Sequence, residues 1–262
     1  MITTVLLDLD DTILSDDDAT ELAFEATATY AATKANIDPQ ALISAIRATS
    51  REIWQEGPFP DWLDGIGTSE IEGLRARFEG EDQHWETMRE WGPGFRRQSW
   101  TNALASLGVG DANLAAELDA MFERERAAAN PWCPGGEEAL KKLASKYRLG
   151  MVTNGIPDVQ RTKINNTGIE KYFDAIVISG ELAVGKPKPE IYQHALDQIG
   201  ATVEETIMVG DSFPRDVLGA QAFGIRAVWI SMGRQQPDDG NPWLTVESLA
   251  ELPDVLETSD NV

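Results

Sequence analysis

The spacing of apolar residues changes along this chain, and each change predicts a different kind of structure. Val5-Leu6-Leu7 is a short uninterrupted apolar run, typical of a strand buried in a parallel sheet. From residue 14 to 130, apolar residues recur every three or four positions, which predicts helices. The predicted helical faces are Leu22/Ala26/Tyr30, Leu42/Ile46/Ile53, Ile71/Leu74/Phe78 and Leu114/Leu118/Met121/Phe122. Segments rich in glycine and proline predict breaks between these helices at 57–60, 65–67, 92–94 and 108–111.

After the helical region the chain alternates between helices and short apolar runs. The runs, read as strands, lie at 149–152, 176–178, 207–209 and 227–230. Strands separated by helices form parallel sheets covered on both faces. We therefore predict an α/β fold: a doubly wound parallel sheet, the Rossmann-like core, formed by residues 1–13 and 131–262, with an inserted helical-bundle cap domain at residues 14–130. The acidic tail is predicted to hold one short helix near residues 246–252.

Side chains that could take part in catalysis or ligand binding follow the first two predicted strands. In open parallel sheets, ligands bind at the carboxyl ends of the strands. Asp8 and Asp10 project to the same side of an extended segment, where they can share a cation or divide the roles of nucleophile and acid. Thr153 and Asn154 end the next strand at a predicted helix start, a suitable place for a tetrahedral anion. Taken alone, the Asp8 and Asp10 motif is more simply a turn with a helix cap, and Thr153 and Asn154 could equally be ordinary caps.

The next two strand ends add a cation and further carboxylates. Lys186 and Lys188 lie in a proline-stiffened loop, and one of them, if it points inward, could neutralise a phosphate and a carboxylate together. Asp211 follows the fourth strand, and Asp216 lies far enough along the next helix to support it. Carboxylates without histidine or thiolate favour a hard cation, Mg²⁺ rather than zinc. Four strand ends of this kind in succession are less easily explained by chance than any one of them.

The combined motifs resemble those of the haloacid dehalogenase-like superfamily of phosphohydrolases, in the branch with a helical cap inserted after the first strand. The residues that carry the resemblance are Asp8-Leu9-Asp10-Asp11-Thr12, Thr153-Asn154, Lys186-Pro187 and Gly210-Asp211 through Asp216. The resemblance covers the predicted core, whereas the cap matches only in being helical.

This resemblance implies a covalent mechanism. Asp8 would attack phosphorus and form an aspartyl phosphate, since a carboxylate can act as a nucleophile when nearby cations balance its charge. Asp10 would protonate the leaving oxygen and then activate water. Mg²⁺ would be held by Asp8, the backbone carbonyl of Asp10, and Asp211.

The resemblance also implies how the phosphoryl group is bound. Thr153, the backbone of Asn154 and Lys186 would contact its oxygens. Lys186 is preferred over Lys188 because the family's lysine directly precedes the first proline, so Lys188 is expected to be exposed. Asp216 would orient its neighbours from outside the site.

Asp10 bears on the choice of reaction. Dehalogenases of the superfamily lack an acid two residues after the nucleophile, because a halide leaving group needs no proton. We therefore predict a Mg²⁺-dependent phosphatase acting on a small phosphorylated metabolite. A phosphosugar mutase carries the same carboxylate pair and is the alternative. A noncatalytic binding protein that keeps the fold is a third interpretation, but a purely binding role does not need the full set of motifs.

Composition limits the partners and the compartment. The 262 residues include 44 acidic and 22 basic ones, a net charge of −22, which repels nucleic-acid backbones and anionic membranes. We expect neither as a partner. With one cysteine, Cys133, and no apolar run of membrane-spanning length, we expect a cytoplasmic protein. High acidity with only eight lysines also suits a salt-rich cytoplasm. The sequence does not predict an oligomeric state.

The cap holds five of the eight tryptophans, at positions 54, 62, 85, 91 and 100. Packing between helices is the favoured interpretation, and a stacking platform for a base or sugar is the alternative. Arg96 and Arg97 could contact a second anionic group of a substrate, although solvation at the surface is the simpler interpretation.

Overall fold

The computed structural model describes residues 1–259, and a parallel sheet of six strands organises much of it. The strands are β1 (Thr4–Leu7), β2 (Arg148–Thr153), β3 (Ala175–Ile178), β4 (Thr206–Gly210), β5 (Arg226–Ile230) and β6 (Leu244–Val246). They lie in the order β3-β2-β1-β4-β5-β6, and every neighbouring pair is parallel. The predicted α/β class, a doubly wound parallel sheet, is confirmed.

Residues 17–130 and 155–163 form one compact helical unit. Its helices are α1 (Asp16–Lys34), α2 (Pro39–Gln55), α3 (Pro60–Gly65), α4 (Glu70–Gly73), α5 (Gln83–Ser106) and α6 (Ala112–Ala128). Aspartates cap several of them, as Asp111 does by accepting hydrogen bonds from the amides of Asn113 and Leu114. Asp158 joins a later segment to this unit, because its carboxylate accepts hydrogen bonds from the amides of Arg77 (2.8 Å) and Glu79 (3.1 Å).

Aromatic side chains pack the interior of the helical unit. Trp85 and Trp100 are buried, and the ring of Trp54 lies 5.4 Å from that of Phe95. These contacts are the packing role expected of the tryptophans. Arg96 forms a hydrogen bond within the helical unit, since its guanidinium donates to the carbonyl of Ala76 at 2.7 Å.

Three sequence predictions for the helices are wrong. Helix α5 continues through Pro93, where a break was expected; Gly92 lies so close to the Phe78 ring that a Cβ would come within 2.4 Å of it. This packing favours a continuous helix over the local preference of proline. Helix α1 buries small residues such as Ala23 and Ala28, whereas Leu22 on the predicted face is 55% exposed. The predicted helix through 71–78 ends at Gly73.

The second compact unit contains the sheet and consists of residues 1–16, 131–154 and 164–259. The remaining helices are α7 (Gly136–Ala144), α8 (Pro157–Thr167), α9 (Ser179–Leu182), α10 (Pro189–Ile199), α11 (Gly219–Phe223) and α12 (Leu252–Ser259), and α8 begins in the helical unit. The predicted division into a catalytic core and a cap stays a prediction.

Alternate residues of β1 enter different apolar clusters, which shows that both faces of the sheet are covered. Val5 and Leu7 pack in a cluster that includes residues of α7 and α12, and Leu6 packs in another that includes residues of α10. A strand buried on both faces reads as a continuous apolar run, as observed in the sequence.

The tail differs from its prediction. Leu244–Val246 forms β6, paired with β5, and a 3₁₀ turn at Leu249–Glu251 leads into α12. The single helix expected near residues 246–252 is therefore misplaced. Three residues are too few for a strand to show a periodic pattern.

Within residues 1–259, no helix combines the length and apolar character needed to cross a membrane. The expected cytoplasmic location and the expected lack of nucleic-acid and membrane partners stay predictions.

Candidate active site

Sheet order brings three strand ends together. Strand β1 lies between β2 and β4. Asp8 directly follows β1, Thr153 ends β2, and Asp211 directly follows β4. The amide of Asp8 donates to the carbonyl of Val209 at 2.9 Å, which continues the pairing of β1 with β4 as far as the carboxylate. The functional side chains predicted on these strands thus share one edge of the sheet.

Lys186 connects two of the predicted carboxylates. Its Nζ lies 2.9 Å from Asp8 Oδ1 and 2.6 Å from Asp216 Oδ1. All three residues are buried, whereas Lys188 is exposed. Because solvent is excluded, these charge-assisted hydrogen bonds are stronger than equivalent bonds at the surface.

The side chain of Asn154 fixes the loop that carries this lysine. Asn154 Oδ1 accepts a hydrogen bond from the amide of Lys186 at 2.8 Å, and Nδ2 donates to the carbonyl of Lys186 at 2.9 Å. The sequence predicted a role only for the Asn154 backbone. Thr153 is buried at the end of β2, and its hydroxyl donates to the carbonyl of Asn154 at 3.3 Å.

Asp216 uses both of its carboxylate oxygens. Oδ1 accepts from Lys186, and Oδ2 accepts from the amide of Ser212 at 2.9 Å. It lies in a π-helical turn, Phe213–Leu218, of a kind often found at functional sites. Gly210 permits this close approach, because a Cβ there would lie 2.2 Å from Asp216 Oδ2.

Burial and mutual repulsion raise the pKa values of two carboxyl groups in the site. Burial raises the pKa of Asp8 to about 6, although the Lys186 ammonium acts in the opposite direction. Burial, with the nearby charges of Asp8 and Asp216, raises the pKa of Asp211 to about 7. Burial alone would lower the pKa of Lys186, but Asp216 and Asp8 hold it above its ordinary value. Excess negative charge is concentrated here and favours a cation.

Three aspartates form a cluster that could hold a cation. Asp8, Asp211 and Asp216 each offer one oxygen, and these oxygens lie within 4.8 Å of one another. Asp8 Oδ1 accepts from the amide of Leu9 at 2.8 Å and from Lys186. Among residues 1–259, Asp8 Oδ2 and Asp211 Oδ1 have no hydrogen-bond partner. This cluster of carboxylates, without histidine or thiolate, fits a hard divalent cation such as Mg²⁺.

Asp10 lies at the same strand exit but outside this cluster of carboxylates. It is partly exposed and forms a bridge with Leu14. The metal contact predicted for Asp10 is made by its backbone carbonyl. This contact and the role of the Asp10 side chain as an acid stay predictions.

Asp211 is contacted by two further residues that the sequence analysis did not predict. Trp229 Nε1 donates to the carbonyl of Asp211 at 3.0 Å, and Arg234 Nη2 donates to the same oxygen at 2.8 Å. Trp229 belongs to β5 and Arg234 to the segment that follows it. Neither residue has a local motif, and their relation to Asp211 depends on the pairing of β4 with β5.

We predict that Asp211→Asn stabilises the metal-free protein at neutral and higher pH. A carboxyl whose folded-state pKa is raised costs stability progressively as pH rises from its ordinary pKa, 3.8, through about 7. The free energy of unfolding of the variant, measured by urea titration in EDTA, should exceed that of the wild type by a margin that grows by about 2 kcal/mol between pH 5 and pH 8. Asp238→Asn, at an exposed position, is the control. A margin independent of pH would contradict the raised pKa.

Comparison with known proteins adds sequence relatives to this geometry. A family model described as haloacid dehalogenase-like hydrolase matches residues 2–224. A phosphoserine phosphatase from Thermus thermophilus is 35% identical over 250 residues, which cover 95% of this chain and 96% of that protein. The pyrimidine 5'-nucleotidase YjjG from Escherichia coli is 29% identical over 212 residues, which cover 80% of each protein.

Solved structures share the fold. The HAD-hydrolase YfnB from Bacillus subtilis, bound to magnesium, aligns with a TM-score of 0.67 and 19% identity over 97% of this chain and 98% of its own. An L-2-haloacid dehalogenase from Xanthobacter autotrophicus aligns with a TM-score of 0.61 and 19% identity over 98% and 99%. Because the neighbours include a dehalogenase, the fold alone does not select the reaction.

Proposed function

The chain belongs to the haloacid dehalogenase-like hydrolases, and we propose that it is a Mg²⁺-dependent phosphatase that hydrolyses a small phosphomonoester metabolite through an aspartyl-phosphate intermediate. The observation that carries this proposal is the state of Asp8. Its Oδ1 is held by Leu9 and Lys186, while Oδ2 has no hydrogen-bond partner among the described residues. A carboxylate fixed by one oxygen and free at the other is suited to act as a nucleophile.

In the first step, Asp8 Oδ2 attacks phosphorus and the bond from phosphorus to the leaving oxygen breaks. The Lys186 ammonium, 2.9 Å from Asp8, balances the charge of the attacking group and of the phosphoryl oxygens. The Thr153 hydroxyl and the Asn154 backbone contact the same oxygens. Asp10, in its protonated form, gives its proton to the leaving oxygen.

In the second step, water attacks phosphorus and the bond from phosphorus to Asp8 breaks. Asp10, now a carboxylate, takes the proton from that water, so Asp8 and Asp10 both return to their starting states. Asp216 keeps Lys186 in place throughout, because its Oδ1 lies 2.6 Å from Nζ. Mg²⁺, held by Asp8, Asp211 and the backbone carbonyl of Asp10, would neutralise phosphoryl charge and so favour attack by an anion.

Relatives guide the choice of substrates. Those named above act, by name, on phosphoserine and on pyrimidine nucleotides, and others are named N-acylneuraminate-9-phosphatase and glyceraldehyde 3-phosphate phosphatase. All four names describe small phosphorylated metabolites. We propose the same class of substrate for this protein, without nucleic-acid or membrane partners.

Phosphate release from four compounds tests the proposal: phosphoserine, a pyrimidine nucleotide, N-acylneuraminate 9-phosphate and glyceraldehyde 3-phosphate. The wild type should release phosphate from at least one of them with Mg²⁺ present, and EDTA should stop the release until Mg²⁺ is restored. Full activity in excess chelator would contradict the metal dependence. Conversion of a sugar phosphate into its isomer with little phosphate released would instead identify a mutase, and a complete lack of turnover would favour a binding protein.

The proposed acid makes a separate prediction. Asp10→Asn should lower kcat for an alkyl phosphate about 10²-fold more than for p-nitrophenyl phosphate, because a good leaving group needs little protonation. The ratio of the two kcat values is the measurement, with Asp197→Asn, at an exposed position of α10, as the control. Equal losses on both substrates would exclude Asp10 as the acid.

A further inference from the structure

The backbone of Asp211 is held by two side chains from outside its own strand. Its carbonyl oxygen accepts hydrogen bonds from Trp229 Nε1 at 3.0 Å and from Arg234 Nη2 at 2.8 Å. Arg234 Nη2 also lies 3.3 Å from Asp211 Oδ2. One guanidinium nitrogen therefore contacts both the main chain and the carboxylate of the same aspartate.

Arg234 is itself well fixed. Its Nε donates to the carbonyl of Ser231 at 2.9 Å, and Nη2 lies 3.1 Å from the carbonyl of Ile230. The guanidinium carbon lies 5.8 Å from the centre of the Trp229 ring, over its face. These contacts join the end of β5 to the residue that follows β4.

We propose that Arg234 is a positioning residue for the cation site, which rests on the proposed metal dependence. By taking Asp211 Oδ2, Arg234 sets the rotation of the carboxylate and leaves Oδ1 without a hydrogen-bond partner in the described part of the chain. A carboxylate already oriented toward its ligand loses less freedom when the ligand binds. Arg234 thus favours Mg²⁺ binding through geometry.

The positive charge of Arg234 acts in the opposite direction, because it repels a divalent cation. That repulsion is weakened by water, since 47% of the Arg234 side chain is exposed. Replacement of Arg234 by lysine separates the effect of geometry from the effect of charge. Lysine keeps the charge but lacks the planar fork that contacts several carbonyls at once.

Isothermal titration of the metal-free protein with Mg²⁺ tests the proposal. We expect Arg234→Lys and Arg234→Met to raise the Kd for Mg²⁺ about tenfold each. The matched control is Arg226→Met. Arg226 begins β5, the strand that Arg234 follows. Its guanidinium lies over the ring of Trp243 at 5.3 Å, so its loss removes an arginine stacked on tryptophan without removing a contact of Asp211. This control should leave the Kd unchanged.

The outcomes separate this proposal from the proposed function. Tighter binding by Arg234→Met, with a wild-type Kd for Arg234→Lys, would show that charge dominates and would overturn the positioning role. Unchanged Kd values in both variants would overturn it as well. A wild type that neither binds Mg²⁺ nor releases phosphate would instead refute the proposed function. Thermal melting in EDTA identifies any variant whose fold is disturbed, and the lysine variant then decides if the methionine variant does not fold.

Discussion

Replacing Asp8 with asparagine should lower kcat for p-nitrophenyl phosphate by at least about 10⁴-fold, with the fold retained. The amide is close in size to the carboxylate, but it is a poor nucleophile and cannot form the acyl phosphate. Because burial raises the pKa of Asp8 to about 6, its loss also removes an unfavourable buried charge at pH 8. The melting temperature at pH 8 should therefore equal or exceed that of the wild type.

A second readout follows the intermediate directly. Acid-quenched wild type, mixed with substrate, should carry a phosphoryl group detectable by mass spectrometry, and the Asp8→Asn variant should not. Asp197→Asn, which makes the same change at an exposed position, should keep both turnover and the intermediate. Substantial turnover by Asp8→Asn would refute the covalent mechanism.

Lys186→Met should reduce both activity and stability. Without the ammonium, Asp8 and Asp216 face each other as buried charges, and loss of one partner of a buried pair typically costs about 3 kcal/mol or more. We expect kcat/KM to fall about 10³-fold, since the phosphoryl oxygens also lose their cation. The pKa of Asp8, which Lys186 lowers, would rise further. The loss of unfolding free energy should therefore be larger at pH 8 than at pH 5.

Lys188→Met provides the matched control, because it removes the same charge from an exposed residue of the same loop. It should leave activity and stability close to wild type. Urea titrations at both pH values give the stability difference, and initial rates give kcat/KM. An equal effect of the two substitutions would contradict the assignment of Lys186 to the buried site.

The class of fold could be predicted because parallel strands leave a strong local signal. Val5-Leu6-Leu7 is buried on both faces, and such a strand is apolar at every position. The site residues Asp8 and Asp211 could be proposed because each directly follows such a strand, and sheet order then brings them together. The motifs could indicate these residues because they lie at the ends of strands, and the order of the strands decides which ends are neighbours.

Other features had no local signal or a misleading one. Helix α1 buries alanines and threonines, so its larger Leu22 indicated the wrong face. Pro93 suggested a break that the contact of Gly92 with Phe78 overrides. The Asn154 side chain and Arg234 act on residues distant in sequence through hydrogen bonds. Such contacts depend on the complete fold, and no spacing rule predicts them.

The central place of β1 has a consequence for biosynthesis. This strand is synthesised before both of its neighbours, because Thr4 pairs with Arg148 on one side and with Thr206 on the other. The nascent chain carries this apolar strand before its partners are synthesised, and contacts this distant in sequence form slowly. Most of the helical unit is translated before either partner strand. The apolar residues of β1 therefore lack a complete set of sheet partners until β2 and β4 have both been translated.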